Sequence, residues 1–236
     1  MLDAFRDLVL GSSCVGCARP GRLLCAACAG ALDPRPAPRW PTPRPPGLTE
    51  PWAATSYDGT VRAMILGHKE HRLLALARPL GELLAGAAEA ALTDLLPVVD
   101  DPTPLLLVPV PSRPSTIRQR GHQPTTSMVR VAAAHLTALG RRTLWAPLLR
   151  TRSGLADQSG LDAAARAVNL AGAFRVHAPV VRRLARAGPA VHVLVCDDVL
   201  TTGATAAEAQ RALRSVGLAP LAAVAVAATP RRTPAG

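Results

Sequence analysis

Val193-Leu194-Val195-Cys196-Asp197-Asp198-Val199-Leu200-Thr201-Thr202-Gly203-Ala204-Thr205 is the stretch on which the fold turns. The residues from Ala190 to Cys196 form an apolar run of the kind that builds a strand buried on both faces. Thr202–Val216 carries a helical pattern that stops at Gly217, and Leu221–Ala227 is a second apolar run. Strand, helix and strand in that order predict a right-handed βαβ unit and therefore a parallel sheet. The first strand delivers two adjacent carboxylates to its C-terminal end, where open α/β sheets bind ligands. Gly203 permits a tight turn, and free N–H groups at the helix start join the hydroxyls of Thr201, Thr202 and Thr205 in a cradle suited to a monophosphate dianion. Asp197 and Asp198 suit the other end of such a ligand, because carboxylates accept hydrogen bonds from a pair of sugar hydroxyls. A ribose 5-phosphate fits both. Thr-Thr-Gly alone would justify only an ordinary capped helix with two solvated aspartates. Neither a Walker A loop nor a G-x-G-x-x-G fingerprint occurs.

Outward from this unit the pattern stays α/β. Trp52–Tyr57 reads as a strand, Val61–Leu66 as a short helix, and Leu73–Leu96 as a longer one rich in Leu and Ala. Pro104–Pro109 reads as a buried strand ending at Val108, followed by a helix over Gln123–Leu139, a strand over Thr143–Leu148 and a helix over Leu161–Val168. Near the N-terminus Leu2, Phe5, Leu8 and Val9 recur at helical spacing. Cys14-x-x-Cys17 and Cys25-x-x-Cys28 then present four thiols on two tight turns. In a chain without an export signal such pairs predict a closed tetrahedral zinc site, structural and not catalytic, in place of a small core. Residues 34–51 contain eight prolines, which lack donors for helix or sheet, and read as a linker. The expected organisation is a cysteine module at 1–33, the linker at 34–51, the α/β domain at 52–229 and a tail at 230–236.

The chain has 236 residues, 49% of them apolar, which supports a core and excludes disorder throughout. Its net charge of +11 comes from 26 arginines and the single lysine, Lys69, against 16 acids. Residues 102–156 hold eight of those arginines and no acid, so the positive field is local and points to phosphate-bearing partners. Only six aromatic residues occur, so platforms for stacking bases are scarce. No apolar run approaches the roughly 20 residues needed to span a bilayer, and the N-terminus lacks a cleavage-site pattern. A cytoplasmic protein without membrane insertion is expected.

Several further stretches accompany the opening one: Val108-Pro109-Val110-Pro111, Arg118-Gln119-Arg120-Gly121-His122-Gln123, Arg150-Thr151-Arg152 through Gln158, Arg166–Asn169 to Gly172–Phe174, and Tyr57–Arg62 through Lys69. With the cysteine module they make nearly the whole chain resemble the type I phosphoribosyltransferases and, among these, the ComF competence-protein family. The resemblance implies an α/β fold with a mostly parallel sheet flanked by helices, plus the small four-cysteine zinc module. It implies that Asp197 and Asp198 contact the ribose hydroxyls of 5-phosphoribosyl 1-pyrophosphate (PRPP), and that Thr201, Thr202, Gly203, Ala204 and Thr205 cradle its 5′-phosphate. Val110, Pro111 and Arg113 belong to a pyrophosphate loop, and Arg150–Gln158 to a mobile loop. Lys69, Arg118, Arg120, Arg150 and Arg152 are candidate contacts to pyrophosphate or nucleic-acid phosphate. Mg²⁺ would accompany PRPP, and Cys14, Cys17, Cys25 and Cys28 would hold structural Zn²⁺.

The family name links the chain to DNA uptake, with single-stranded DNA and a competence helicase as partners; a homodimer is a fold-level analogy. Phosphoribosyl transfer with pyrophosphate release competes with a non-catalytic role in handling single-stranded DNA or sensing PRPP. The family's Arg-Gly-Phe-Asn-Gln pattern appears here as Arg120-Gly121-His122-Gln123-Pro124, without its aromatic residue. His122 reads as a solvent-facing loop histidine, with phosphate contact or general base as the alternatives, and Cys196 as a packed strand thiol.

Overall fold

The computed structural model describes residues 12–96, 101–112, 121–152, 172–177, 179, 181 and 190–230. The helices expected at 2–9 and 161–168, together with Arg113, Arg118, Arg120, Arg166–Asn169 and residues 231–236, lie outside these. The described elements run in the order α1 (Ala26–Gly30), β1 (Ala37–Pro38), β2 (Pro51–Ser56), α2 (Gly59–Glu70), a 3₁₀ turn (Leu74–Leu76) and α3 (Ala77–Leu95). There follow β3 (Leu105–Pro109), α4 (Pro124–Ala138), β4 (Thr143–Trp145), β5 (Leu149–Thr151), β6 (Phe174–Val176), β7 (His192–Leu200), α5 (Ala204–Arg214) and β8 (Pro220–Ala228).

Six strands form one sheet in the order β1-β2-β8-β7-β3-β4. All neighbours are parallel except the edge strand β1, which runs antiparallel to β2. Successive strand residues serve opposite faces. Leu105, Leu107, Leu194 and Cys196 pack with α3 and α4 on one face, whereas Leu106, Val108, Val193 and Val195 pack with α5 and the β5–β6 hairpin on the other. From β3 the chain moves outward through α4 to β4, and from β7 it moves the opposite way through α5 to β8. The gap between β3 and β7 is therefore a topological switch point, where the flanking connections diverge and leave a crevice at the C-terminal strand ends.

Three elements differ from the sequence expectation. β7 does not stop at Cys196 but runs to Leu200, pairing Asp197, Val199 and Leu200 with Ala225, Ala227 and Ala228, so both aspartates lie within the strand. The run 143–148 breaks after Trp145, because Pro147 has no N–H to offer a ladder. The chain then enters a separate antiparallel pair of strands, the β5–β6 hairpin, in which Arg150 pairs with Arg175. The proline-rich stretch is fastened to the sheet and to α5. Arg39 N donates to Pro51 O at 2.6 Å, Gln210 brackets Thr49 through both of its amide atoms, and Arg214 donates to Gly47 O at 2.8 Å. Leu48 and Trp40 pack with Leu200, Ala206, Ala207 and Ala223 in a small core of their own.

The cysteine turns sit against α2. A Cβ on Gly16 would lie 3.0 Å from Thr60 Oγ1, and Val15 reaches Gly67. Among the described residues no helix is long and apolar enough to cross a membrane.

α3 and α4 cross at Gly81, where a Cβ would meet Val131 Cβ at 2.5 Å and Met128 O at 2.8 Å. Gly81→Ala is expected to cost about 1–3 kcal/mol through overpacking, although alanine is the better helix former. A urea titration reads the loss as a lower midpoint at unchanged slope; an unchanged or raised midpoint would mean that the two helices yield at the crossing.

Candidate functional site

The switch-point crevice encloses about 470 Å³. β7 supplies Asp197, Asp198 and Val199, the turn after it Thr201, and the first turn of α5 Thr205. The segment after β3 supplies Val110, Pro111 and Ser112 on the opposite wall, and α2 supplies Lys69. Val110 N donates to Cys196 O at 2.9 Å, so the ladder holds the two walls in register to this point.

Because Asp197 and Asp198 are neighbours on one strand, their side chains leave on opposite faces. Asp198 continues the Leu194–Cys196 face toward the α2 layer. It is only 4% exposed and meets Lys69 Nζ at 2.6 Å. One of its oxygens also accepts from Val199 N at 2.7 Å. Asp197 accepts from Asp198 N at 2.8 Å. Burial, reinforced by the negative charge of Asp198, pushes the Asp197 carboxyl up to about 8, with Lys69 pulling in the opposite direction. Burial and the neighbouring charge thus favour the protonated form of Asp197, while Asp198 holds the contact with Lys69. Adjacent acceptor and donor groups of this kind match two vicinal hydroxyls, one donating and one accepting.

Gly203 caps α5 in the left-handed region at φ 72°. A Cβ there would lie 2.9 Å from Leu48 Cδ2 and 3.0 Å from Pro41 Cγ, so glycine is required by the backbone and by the proline-rich strap above it. Thr202 Oγ1 accepts from Ala204 N at 3.4 Å. Thr202, Gly203 and Ala204 shape the turn, while Thr201 and Thr205 line the crevice. The eleven-residue α5 begins here, which places unpaired N–H groups and the positive end of a helix dipole at the same edge.

The structure brings Lys69, Val110, Pro111, Asp197, Asp198, Thr201 and Thr205 together. Arg150 and Arg152 are exposed on and just after β5 and are not among the lining residues. Their hairpin touches the Val110–Ser112 wall through Thr151, whose hydroxyl donates to Ser112 O at 3.4 Å. Four lining residues have no role of their own in the sequence reading, namely Tyr57, Ser112, Thr125 and Val199. Tyr57 is the last residue of the expected strand, which in the structure ends at Ser56, and Ser112 sits inside the expected pyrophosphate loop; Thr125, in the first turn of α4, carries no signal.

His122 does not face solvent freely. Its Nε2 donates to His68 O at 2.9 Å, and the two imidazoles meet edge to face at 5.5 Å. His68, buried beside Lys69 on α2, donates from Nε2 to Ser127 Oγ, whose own proton goes to Pro124 O. Burial lowers the His68 pKa, so its neutral form is favoured. Cys196 is buried in β7, and burial pushes its thiol far up, as suits a packing residue.

The sulfurs of Cys14, Cys17, Cys25 and Cys28 lie within 4.8 Å of one another, with Cys17 and Cys25 at 3.7 Å. Sulfurs on a tetrahedral zinc, at about 2.3 Å from the metal, stand about 3.8 Å apart. The four cysteines can hold a zinc ion. Burial disfavours the Cys14 thiolate, but N–H groups of Cys25, Cys17 and Gly16 outweigh it and bring that thiol down to about 6. The thiols of Cys25, Cys17 and Cys14 push Cys28 up to about 12. Four thiolates at this spacing repel one another until a cation joins them.

No model of a known protein family matches the chain, and no curated protein matches it.

The raised Asp197 pKa has a measurable consequence. A carboxyl whose pKa is higher folded than unfolded contributes stability that is complete below its ordinary value of 3.8 and is lost as the pH climbs to about 8. Asparagine imitates the protonated form. The melting temperature of Asp197→Asn should thus match that of the parent at pH 4 and exceed it increasingly up to pH 8, by about 2–4 °C per kcal/mol of relieved penalty. A difference that stays flat or reverses with pH would show that Asp197 is ionised in the folded protein.

Proposed function

We propose that the crevice binds PRPP and that the chain is a phosphoribosyltransferase of the type I fold, in the ComF family. The observation that supports this reading is the convergence, at one switch point, of two strand-end acids, a helix N-terminus with threonine hydroxyls and a lysine-bearing wall. In this reading the 5′-phosphate lies on the start of α5 against Thr201 and Thr205. The ribose diol takes its hydrogen bonds from Asp197 and Asp198, and the pyrophosphate extends toward Val110–Ser112 and Lys69.

As the bond from C1 to pyrophosphate breaks, its electron pair leaves with pyrophosphate and a lone pair of the acceptor forms the new bond to C1. Asp198 offsets the positive charge that develops on the sugar, and Lys69 offsets that of the leaving group. Mg²⁺ enters with PRPP as part of the substrate. Asp198 is already engaged by Lys69 and burial favours the protonated form of Asp197, so the substrate's oxygens would furnish most of the coordination. Zinc fills the four-cysteine site as a structural ion. The link to DNA uptake, with single-stranded DNA meeting the arginines of 102–156, belongs to the same reading.

PRPP with Mg²⁺ at about a hundredfold excess over its Kd stabilises the folded state by about 2.7 kcal/mol, a rise of about 5–10 °C in Tm for a domain of this size. Asp198→Asn, and Asp197→Ala, which removes both hydrogen-bonding atoms, should abolish that rise; an undiminished rise would place the ligand elsewhere. Pyrophosphate release across a panel of nitrogen acceptors then separates transferase from binder. Stabilisation without release by any acceptor would favour the PRPP-sensing or DNA-handling role.

Elemental analysis of freshly purified, reduced protein should return one zinc per chain, and the Cys17→Ser, Cys25→Ser double variant should lose it. Metal-free parent protein would overturn the zinc assignment.

A further inference from the structure

Beside the sugar-phosphate crevice lies a second cavity of about 620 Å³, and the two share Thr201. One wall is the proline-rich strap from Pro38 to Thr42; the other is formed by the ends of β2, β7 and β8 at Ser56, Leu200 and Ala228 and by Thr229. A space of this size accommodates a small ring ligand. Its chemistry is specific. Arg39 is the only charged side chain among the described lining residues, and its Nε is buried without a hydrogen-bond partner. No carboxylate among the described residues lines the cavity to pair with its guanidinium. Beside it stands Trp40, whose indole is braced by the Arg44 guanidinium at 4.3 Å from the ring centroid. Such bracing rigidifies an aromatic wall.

We propose that this cavity takes a planar nitrogen heteroaromatic ring bearing a carboxylate, with Arg39 receiving the carboxylate and Trp40 supplying the aromatic wall. A guanidinium matches a carboxylate better than it matches a neutral carbonyl edge. On the reading of the neighbouring crevice as the PRPP site, this ring is the acceptor. Its nitrogen lone pair bonds to C1 across Thr201, the pair from the broken C–O bond departs on pyrophosphate, and any proton on that nitrogen passes to water. The strap read from sequence as a spacer thereby becomes the part of the chain that chooses the second substrate.

Calorimetric titration of the full chain with orotate, nicotinate and uracil tests the inference. Orotate and uracil share a ring and differ by the carboxylate. Orotate or nicotinate should bind at least tenfold more tightly than uracil. Arg39→Gln, whose backbone N–H still pairs with Pro51, should weaken the acid at least tenfold while keeping the parent melting temperature and response to PRPP. Trp40→Leu should weaken acid and uracil alike. The proposal is overturned when orotate and uracil bind equally, when Arg39→Gln leaves the acid's affinity unchanged, or when neither acid binds at millimolar concentration. A PRPP response in the last case leaves the crevice reading standing and removes only this one. Acid binding that depends on Arg39 in protein indifferent to PRPP does the reverse, keeping the carboxylate site and removing the crevice reading.

Discussion

Two adjacent acids inside a parallel strand cannot share one environment. A strand alternates its side chains, so Asp197 and Asp198 are sent to opposite faces of the sheet, where different layers meet them. On the α2 side Lys69 Nζ meets Asp198 at 2.6 Å. On the α5 side Asp197 has no ion-pair contact among the described residues, and burial and the charge of Asp198 push its carboxyl up against the weaker pull of Lys69. Like charges this close do not both ionise cheaply. The outcome is a donor and an acceptor one residue apart, held at the mouth of the sheet by register with Ala225 and Ala227. The rest of the molecule serves that geometry, since the pairing of β7 with β8 continues to Leu200 and the switch point opens the space beside it.

The strap adds a second constraint. Gly203 must be glycine for its φ, but it must also be glycine because Leu48 and Pro41 press on the position a Cβ would take. The turn before α5 and the proline-rich segment are thus mutually dependent, and the small core around Leu48, Ala206 and Ala207 welds them together. Proline density explains why this segment is extended and why it contributes only a two-residue strand at the sheet edge, the one place where missing N–H groups do little harm. Density alone does not say what an extended segment lies against. Gln210 and Arg214, on the outer side of α5, settle that by gripping Thr49 and Gly47.

This contrast marks how far the sequence can be read. The βαβ unit around Asp197 and Thr201 is legible because apolar runs, a helical pattern and glycine stops are local signals, and the parallel sheet follows from them. The end of β7 lies four residues beyond its expected place, since two carboxylates look like the end of a buried strand when the pairing partner is unknown. Lys69 is legible as the single lysine but not as the partner of Asp198, because a contact between α2 and β7 depends on sheet order, with β2 set two strands from β7. Thr125 and the His68–His122 pair are illegible for the same reason; each matters only once α4 and α2 lie side by side.

The cysteine module fits the same logic of long-range bracing. Its turns rest on Thr60 and Gly67, the beginning and the penultimate turn of the helix that ends with Lys69 and Glu70. Val15, Leu23 and Leu24 join the main core on that side, so the module is not an independent bead on a string. At the far end of α2, His122 grips the His68 carbonyl, anchoring the chain that enters α4. α2 is therefore braced from Thr60 to Gly67 by the four-cysteine turns and held at its finish by a histidine from another layer. Lys69 has a long, flexible stem, and its reach to Asp198 is set by where the helix axis sits. Fixing that axis from both ends converts a mobile ammonium into a defined charge at the crevice wall, which is what a site made of two unlike acids requires.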